Sequence, residues 1–157
     1  MTMVVGIDVS KATLDVALLD EAGQYQMGHF TNDPAGFARL QRWLEKRSAP
    51  GIPVCLETTG RYSRAVAHHL HQAGYVVSVV NPAKTPQFRN LVGELNKTDR
   101  TDAKLLAHYC ATHKPAPWTP PSAHHEQLHE LTRYLDVLKR EQTRIRNRLT
   151  CCPLTDW

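Results

Sequence analysis

The chain has 157 residues, 41% of them hydrophobic and 22% charged, a length near one domain and a composition that excludes a disordered chain. No apolar run approaches the ~18–20 residues of a membrane span, and no basic segment followed by an apolar one opens the chain, so a cytoplasmic home is expected. The net charge is +4, and one window carries all of it: Arg133, Lys139, Arg140, Arg144, Arg146 and Arg148 stand there against Asp136 and Glu141. A neutral body with a basic C-terminal arm points to a polyanionic partner, with a solvated helix face as the plainer reading. Cys55, Cys110, Cys151 and Cys152 form neither a disulfide framework nor a CxxC zinc site, and Cys55 and Cys110 lie in apolar segments where a thiol behaves as a small hydrophobe.

In chain order, residues 3–8 and 14–20 are apolar runs close enough for an antiparallel hairpin, and residues 24–30 alternate as a third strand. Asp33-Pro34 supplies a helix N-cap and a first-turn proline, with Phe37, Leu40 and Leu44 at helical spacing behind it. Pro53 to Glu57 is a short buried strand ending in a carboxylate, a helix follows over about 63–73 with Gly74 as its stop, and residues 75–80 are the most apolar strand. Three meandering strands followed by helix, strand, helix, strand predict a mixed α/β sheet, with an antiparallel hairpin edge, parallel inner strands and helices covering it.

Residues 98–113 read as a further helix, and Pro115, Pro117, Pro120 and Pro121 make a stiff linker. Beyond it Leu128, Leu131, Leu135, Leu138, Ile145 and Leu149 keep a 3-4 spacing, with Gln142 as the one polar seam position. This predicts a coiled-coil hairpin or dimer arm, and an amphipathic helix packed on its own domain is the alternative. The expected organisation is a domain over 1–114, a linker over 115–121, a coiled-coil helix over 122–150 and an irregular tail over 151–157.

Four carboxylates stand out. Asp8 and Glu57 lie at the ends of the first and fourth strands, and Asp99 and Asp102 share a helix face three residues apart. Neighbouring first and fourth strands would bring Asp8 and Glu57 together, and a helix crossing that edge would add the other two. Oxygen-only ligands suit Mg2+ or Mn2+, and two such ions about 4 Å apart activate water and stabilise the leaving oxygen in phosphodiester cleavage. Each residue also has a plainer role alone, as a hairpin cap, a surface charge or a helix start. Asp15, Asp20 and Asp33 are read as hairpin, turn and cap residues.

GIDVSKATLDVALLD at 6–20, LETTGRY at 56–62 and NPAKTPQFRNLVGELNKTDRTDAKLLAHY at 81–109 resemble the DEDD transposases of the insertion-sequence one-ten family and the related pilin-gene-inverting recombinases. The resemblance spans about residues 3–149. It implies a RuvC-like ribonuclease H fold, a divalent-metal site at Asp8, Glu57, Asp99 and Asp102, and DNA recombination guided by a structured RNA. It implies a prokaryotic, nucleoid-associated protein, and a homodimer or higher oligomer through the coiled coil. The family's second, serine-bearing domain does not occur in these 157 residues, so full recombination is not expected of this polypeptide alone. Lys11, Arg61, Lys84, Arg89, Lys97 and Arg100 flank the acidic motifs and are candidate phosphate contacts, as are the six basic residues of the arm.

Three other readings compete. His125-Glu126-Gln127-Leu128-His129 matches the HExxH zinc-hydrolase pattern, yet Leu128 belongs to the leucine seam and few residues follow. His68, His69 and His71 are read as a solvated helix face. Sugar kinases and actin-like ATPases open similarly, but they need glycine after the first aspartate where this chain has Val9-Ser10-Lys11. The non-enzymatic alternative is a nucleic-acid-binding and dimerisation module.

Overall fold

The computed structural model describes residues 3–58, 60–81 and 102–151. Nine elements occur among them: strands β1 (Val4–Val9), β2 (Thr13–Leu19), β3 (Tyr25–Thr31), β4 (Pro53–Glu57) and β5 (Val76–Val80), and helices α1 (Pro34–Glu45), α2 (Arg61–Gln72), α3 (Asp102–His113) and α4 (Ala123–Cys151). The strands form one sheet in the order β3-β2-β1-β4-β5. β1 pairs antiparallel with β2 and parallel with β4, β2 pairs antiparallel with β3, and β4 parallel with β5. This is the mixed sheet expected from the sequence, with β1 and β4 adjacent.

β1 is central and buried on both faces, which is why it reads as a continuous apolar run. Its alternate side chains enter two separate cores. Val5, Ile7 and Val9 join Leu14, Val16, Leu40, Leu44, Val54 and Leu56 on one face, under α1 and α2. Val4 joins Ala17, Leu19 and Cys55 on the other, under Ala103, Leu106 and Cys110 of α3. Gly6 lies where α3 crosses: a Cβ there would overlap the Ala103 carbonyl oxygen and the Ala107 nitrogen. Only glycine lets the helix backbone approach the strand so closely.

Local signals set the element ends. The Asp33 carboxylate accepts the Gly36 N–H at 2.7 Å and Pro34 opens α1. The Asp20 carboxylate accepts N–H groups from Ala22 and Gln24 and closes the β2–β3 turn. Gly60, at φ +63°, turns the chain from β4 into α2. Cys55 and Cys110 are buried free thiols, and the adjacent Cys110 sulfur together with burial holds Cys55 as the neutral thiol.

The chain divides into two units, ending and beginning at Trp118 and Thr119. The proline-rich stretch is partly structural: the Trp118 N–H donates to the Val77 carbonyl at 2.7 Å, and Ser78 Oγ donates to the Pro115 carbonyl at 3.0 Å. Trp118 meets the rings of His68 and His71 edge-on at 5.1 and 6.0 Å, and His69 Nε2 lies 3.0 Å from Gln41 Oε1. The three histidines are therefore half-buried packing residues, not the solvated face expected of them. In the second unit, α4 runs 29 residues. α4 includes Cys151, and the irregular tail expected over 151–157 lies otherwise outside the described residues. No helix among the described residues is long and apolar enough to cross a membrane.

Candidate functional site

β1 and β4 run parallel with the register Val5↔Val54, Gly6↔Cys55, Ile7↔Leu56. The same offset carried one residue further sets Asp8 level with Glu57. Both side chains fall on the α3 face, since Asp8 follows Val4 and Gly6 at period two and Glu57 follows Cys55. Thr58 N–H donates to the Val80 carbonyl at 2.8 Å and keeps β4 seated past the carboxylate. Asp102 is the first residue of α3, so it enters from the helix that covers this face.

Their electrostatics follow from this placement. The Asp8 carboxyl titrates above its ordinary 3.8 because burial penalises its charge, with Asp102 and then Asp15 adding repulsion against a relieving Val9 N–H. Glu57 is raised above 4.5 by burial and then by Asp8 and Asp102. Three acids from three elements thus share one field. Among the described residues no three His, Cys, Asp or Glu side chains stand close enough to hold an ion. Asp99, the fourth acid of the motif, lies outside the described residues, as do Lys84, Arg89, Lys97 and Arg100. The donor set suits a hard cation, being all carboxylate oxygen and mutually repelling.

Asp15 lies in the β1–β2 hairpin as expected, and its register there was not read from sequence: it pairs directly with Asp8, and its own partner across β3 is His29. His29 Nδ1 lies 2.7 Å from Asp15 Oδ1. A row Glu57, Asp8, Asp15, His29 therefore crosses four strands on the α3 face, about 4.8 Å per step. Like charges directly opposite in a sheet are destabilising. The pairing of Asp8 with Asp15 is thus a cost the fold carries at this edge.

Lys11 is exposed in the β1–β2 turn and Arg61 opens α2, both just beyond the strand ends that carry the acids. The six basic residues of the arm are exposed on α4, with Arg144 paired to Glu141 at 3.4 Å. In the HExxH segment His125 Nδ1 lies 3.0 Å from Ser122 Oγ, and the His125 backbone N–H donates to that hydroxyl at 3.4 Å, a helix-start arrangement.

A mixed sheet with three antiparallel and two parallel strands, acids at the ends of adjacent β1 and β4, and a helix start above them defines a ribonuclease H-like domain of the RuvC type. T. thermophilus RuvC, solved in complex with a Holliday junction substrate, superimposes with a TM-score of 0.51 at 15% identity, over 74% of this chain and all of RuvC. At that identity the likeness is one of fold. The chain belongs to the DEDD transposase family of the IS110 (insertion-sequence one-ten) type, whose family model, described as a transposase, matches residues 5–152. Pilin gene-inverting proteins of Moraxella lacunata and Moraxella bovis are each 32% identical over 146 residues, 92% of this chain and 45% of theirs. The chain thus spans about half the length of these relatives.

Proposed function

We propose that the first unit is the acidic half of a DNA recombinase and performs divalent-metal-dependent phosphodiester chemistry at Asp8, Glu57 and Asp102, joined by Asp99. The adjacency of Asp8 and Glu57 at the edge of a RuvC-like sheet, with Asp102 adding to the repulsion on both, supports this reading. Asp8 and Glu57, fixed by the β1–β4 register, would hold Mg2+ or Mn2+ from the sheet side, and Asp102 from the helix side. Bound there, the metal supplies an activated water and charge neutralisation at the scissile phosphate. Lys11, in the turn beside the edge, would offset its negative field for an incoming phosphate backbone, and Arg61, the first residue of α2, is a further candidate. DNA is the substrate in this reading, a structured RNA guides the choice of site, and the six basic residues of α4 add backbone contacts.

A second reading is a nucleic-acid-binding and dimerisation module, whose carboxylates act only beside a further domain. The apolar seam exposed on α4 favours it.

Metal binding separates the two without requiring turnover. Thermal unfolding with rising Mg2+ or Mn2+ should raise the wild-type Tm, since a ligand bound only by the folded chain stabilises it by about 2.7 kcal/mol at 100 times Kd. In Asp8→Asn the response should need at least ~10-fold more metal. Equal responses in the two proteins would remove the carboxylate site from the reading.

A further inference from the structure

Helix α1 covers the sheet face opposite the carboxylates and carries a charge pattern that neither the acidic site nor the arm uses. Arg39, Arg42 and Lys46 are exposed at spacings of three and four that place them along one side of the helix and its C-cap, and exposed Arg47 follows directly. With Phe30 and Trp43 they line an open groove of about 390 Å³, at the helix end away from Asp33, whose charge Arg39 also feels. The nearby acid Glu45 is turned to Gln41, whose Nε2 donates to it at 2.8 Å.

The groove is held in shape. Arg47 lies over the Trp43 ring at 4.5 Å, and Trp43 packs edge-on against Phe30 at 6.0 Å. Arg39 donates to the Thr31 hydroxyl at 2.8 Å, which fixes its guanidinium at the upper end. Favourable interaction with the helix dipole accounts for a cation in the last turn, where Arg42 sits, but not for Arg39 earlier in the helix. Arg39 to Lys46 spans about 10 Å of helix at ~1.5 Å per residue. Laid along a duplex axis, where each strand carries one phosphate per ~3.4 Å, that length faces about two to three phosphates. A small anion would occupy one fork; a stripe of this length matches a polymer.

We propose that the α1 groove is a second nucleic-acid interface, gripping the phosphodiester backbone of a segment that passes over the sheet face opposite the acidic edge. The domain then holds nucleic acid on both faces, one segment presented to the carboxylates and the other anchored by charge alone. The α1 anchoring itself is independent of metal; only the segment at the carboxylates rests on the catalytic reading.

The test measures binding of labelled duplex DNA and of a labelled RNA hairpin to the full chain by fluorescence anisotropy, in EDTA, from 50 to 200 mM salt. The triple variant Arg39→Gln, Arg42→Gln, Lys46→Gln should flatten the log affinity against log salt slope by roughly two to three units. The wild-type advantage should accordingly shrink about 40-fold across that range. The probe that shows the loss identifies the segment as DNA or RNA. The double variant Arg42→Gln, Lys46→Gln spares the Arg39–Thr31 bond and should flatten the slope by roughly one to two units, which covers a folding defect in the triple variant. Asp8→Asn should keep the wild-type slope, so a failed metal site and a failed groove give different results. A wild-type slope retained by both α1 variants on both probes overturns the proposal, as does a wild-type chain that binds neither probe.

Discussion

Asp8 shows how one residue can serve the site at the expense of the fold. Its pKa, like that of Glu57, lies above the ordinary value because burial and neighbouring carboxylates oppose its charge. A carboxyl raised in the folded state contributes stability fully below its unfolded pKa and loses it as pH rises through the folded value. Both acids therefore erode stability as pH climbs from about 4 toward neutrality. In metal-free buffer at pH 7, Asp8→Asn should melt a few degrees above wild type, and the difference should close as pH approaches 4. Added Mg2+ should reverse the order, because the wild type alone then gains from its full charge. An Asp8→Asn protein that melts lower by the same margin at both pH values would show that Asp8 feels no repulsion in the fold.

At the scale of elements, the position of the acids depends on how closely α3 lies on β1. Gly6 is the contact point, and α3 begins with Asp102. Gly6→Ala should force the helix outward, costing roughly 1–3 kcal/mol as an overpacked contact and lowering Tm accordingly. The variant should also weaken metal-induced stabilisation, although no carboxylate is altered. A Gly6→Ala protein with wild-type Tm and metal response would mean that α3 is free to shift without consequence. The sequence disclosed this site unevenly, for physical reasons. Asp33-Pro34 and Pro53 to Glu57 were legible because capping and strand ending are local. The adjacency of Asp8 and Glu57 was conditional on first and fourth strands being neighbours, a long-range pairing that no local signal sets and that the sheet order β3-β2-β1-β4-β5 supplies. Asp15 was not legible, because its face depends on hairpin register. Ser10 Oγ bonded to the Thr13 carbonyl and N–H sets the turn, and a slip of one residue would send Asp15 to the other face. His29 depends on the next register in turn. Trp118 was hidden by the prolines around it, which signal a linker whether or not one side chain folds back.

At the scale of the whole molecule, α4 carries an apolar surface that nothing within its own unit covers. Leu128, Leu131, Leu135, Leu138, Ile145 and Leu149 are between 47% and 72% exposed, far more than a single stray leucine on a surface. They lie on one seam of a helix about 43 Å long at ~1.5 Å per residue. A seam of this period pairs with another like it through knobs and holes. The basic residues sit beside the seam rather than in it, so pairing would leave them available to a polyanion. Light scattering of the full chain should give a dimer or higher species whose share grows with concentration. The variant Leu131→Glu, Leu138→Glu changes two exposed positions, so it should keep its helix and its Tm at low concentration while becoming monomeric. Buried charge at both seam positions would oppose pairing, by the same desolvation that keeps charged residues out of coiled-coil cores. A monomeric wild type with the same mass as the variant at every concentration would exclude self-association through α4, and the seam would then serve a partner other than a second copy.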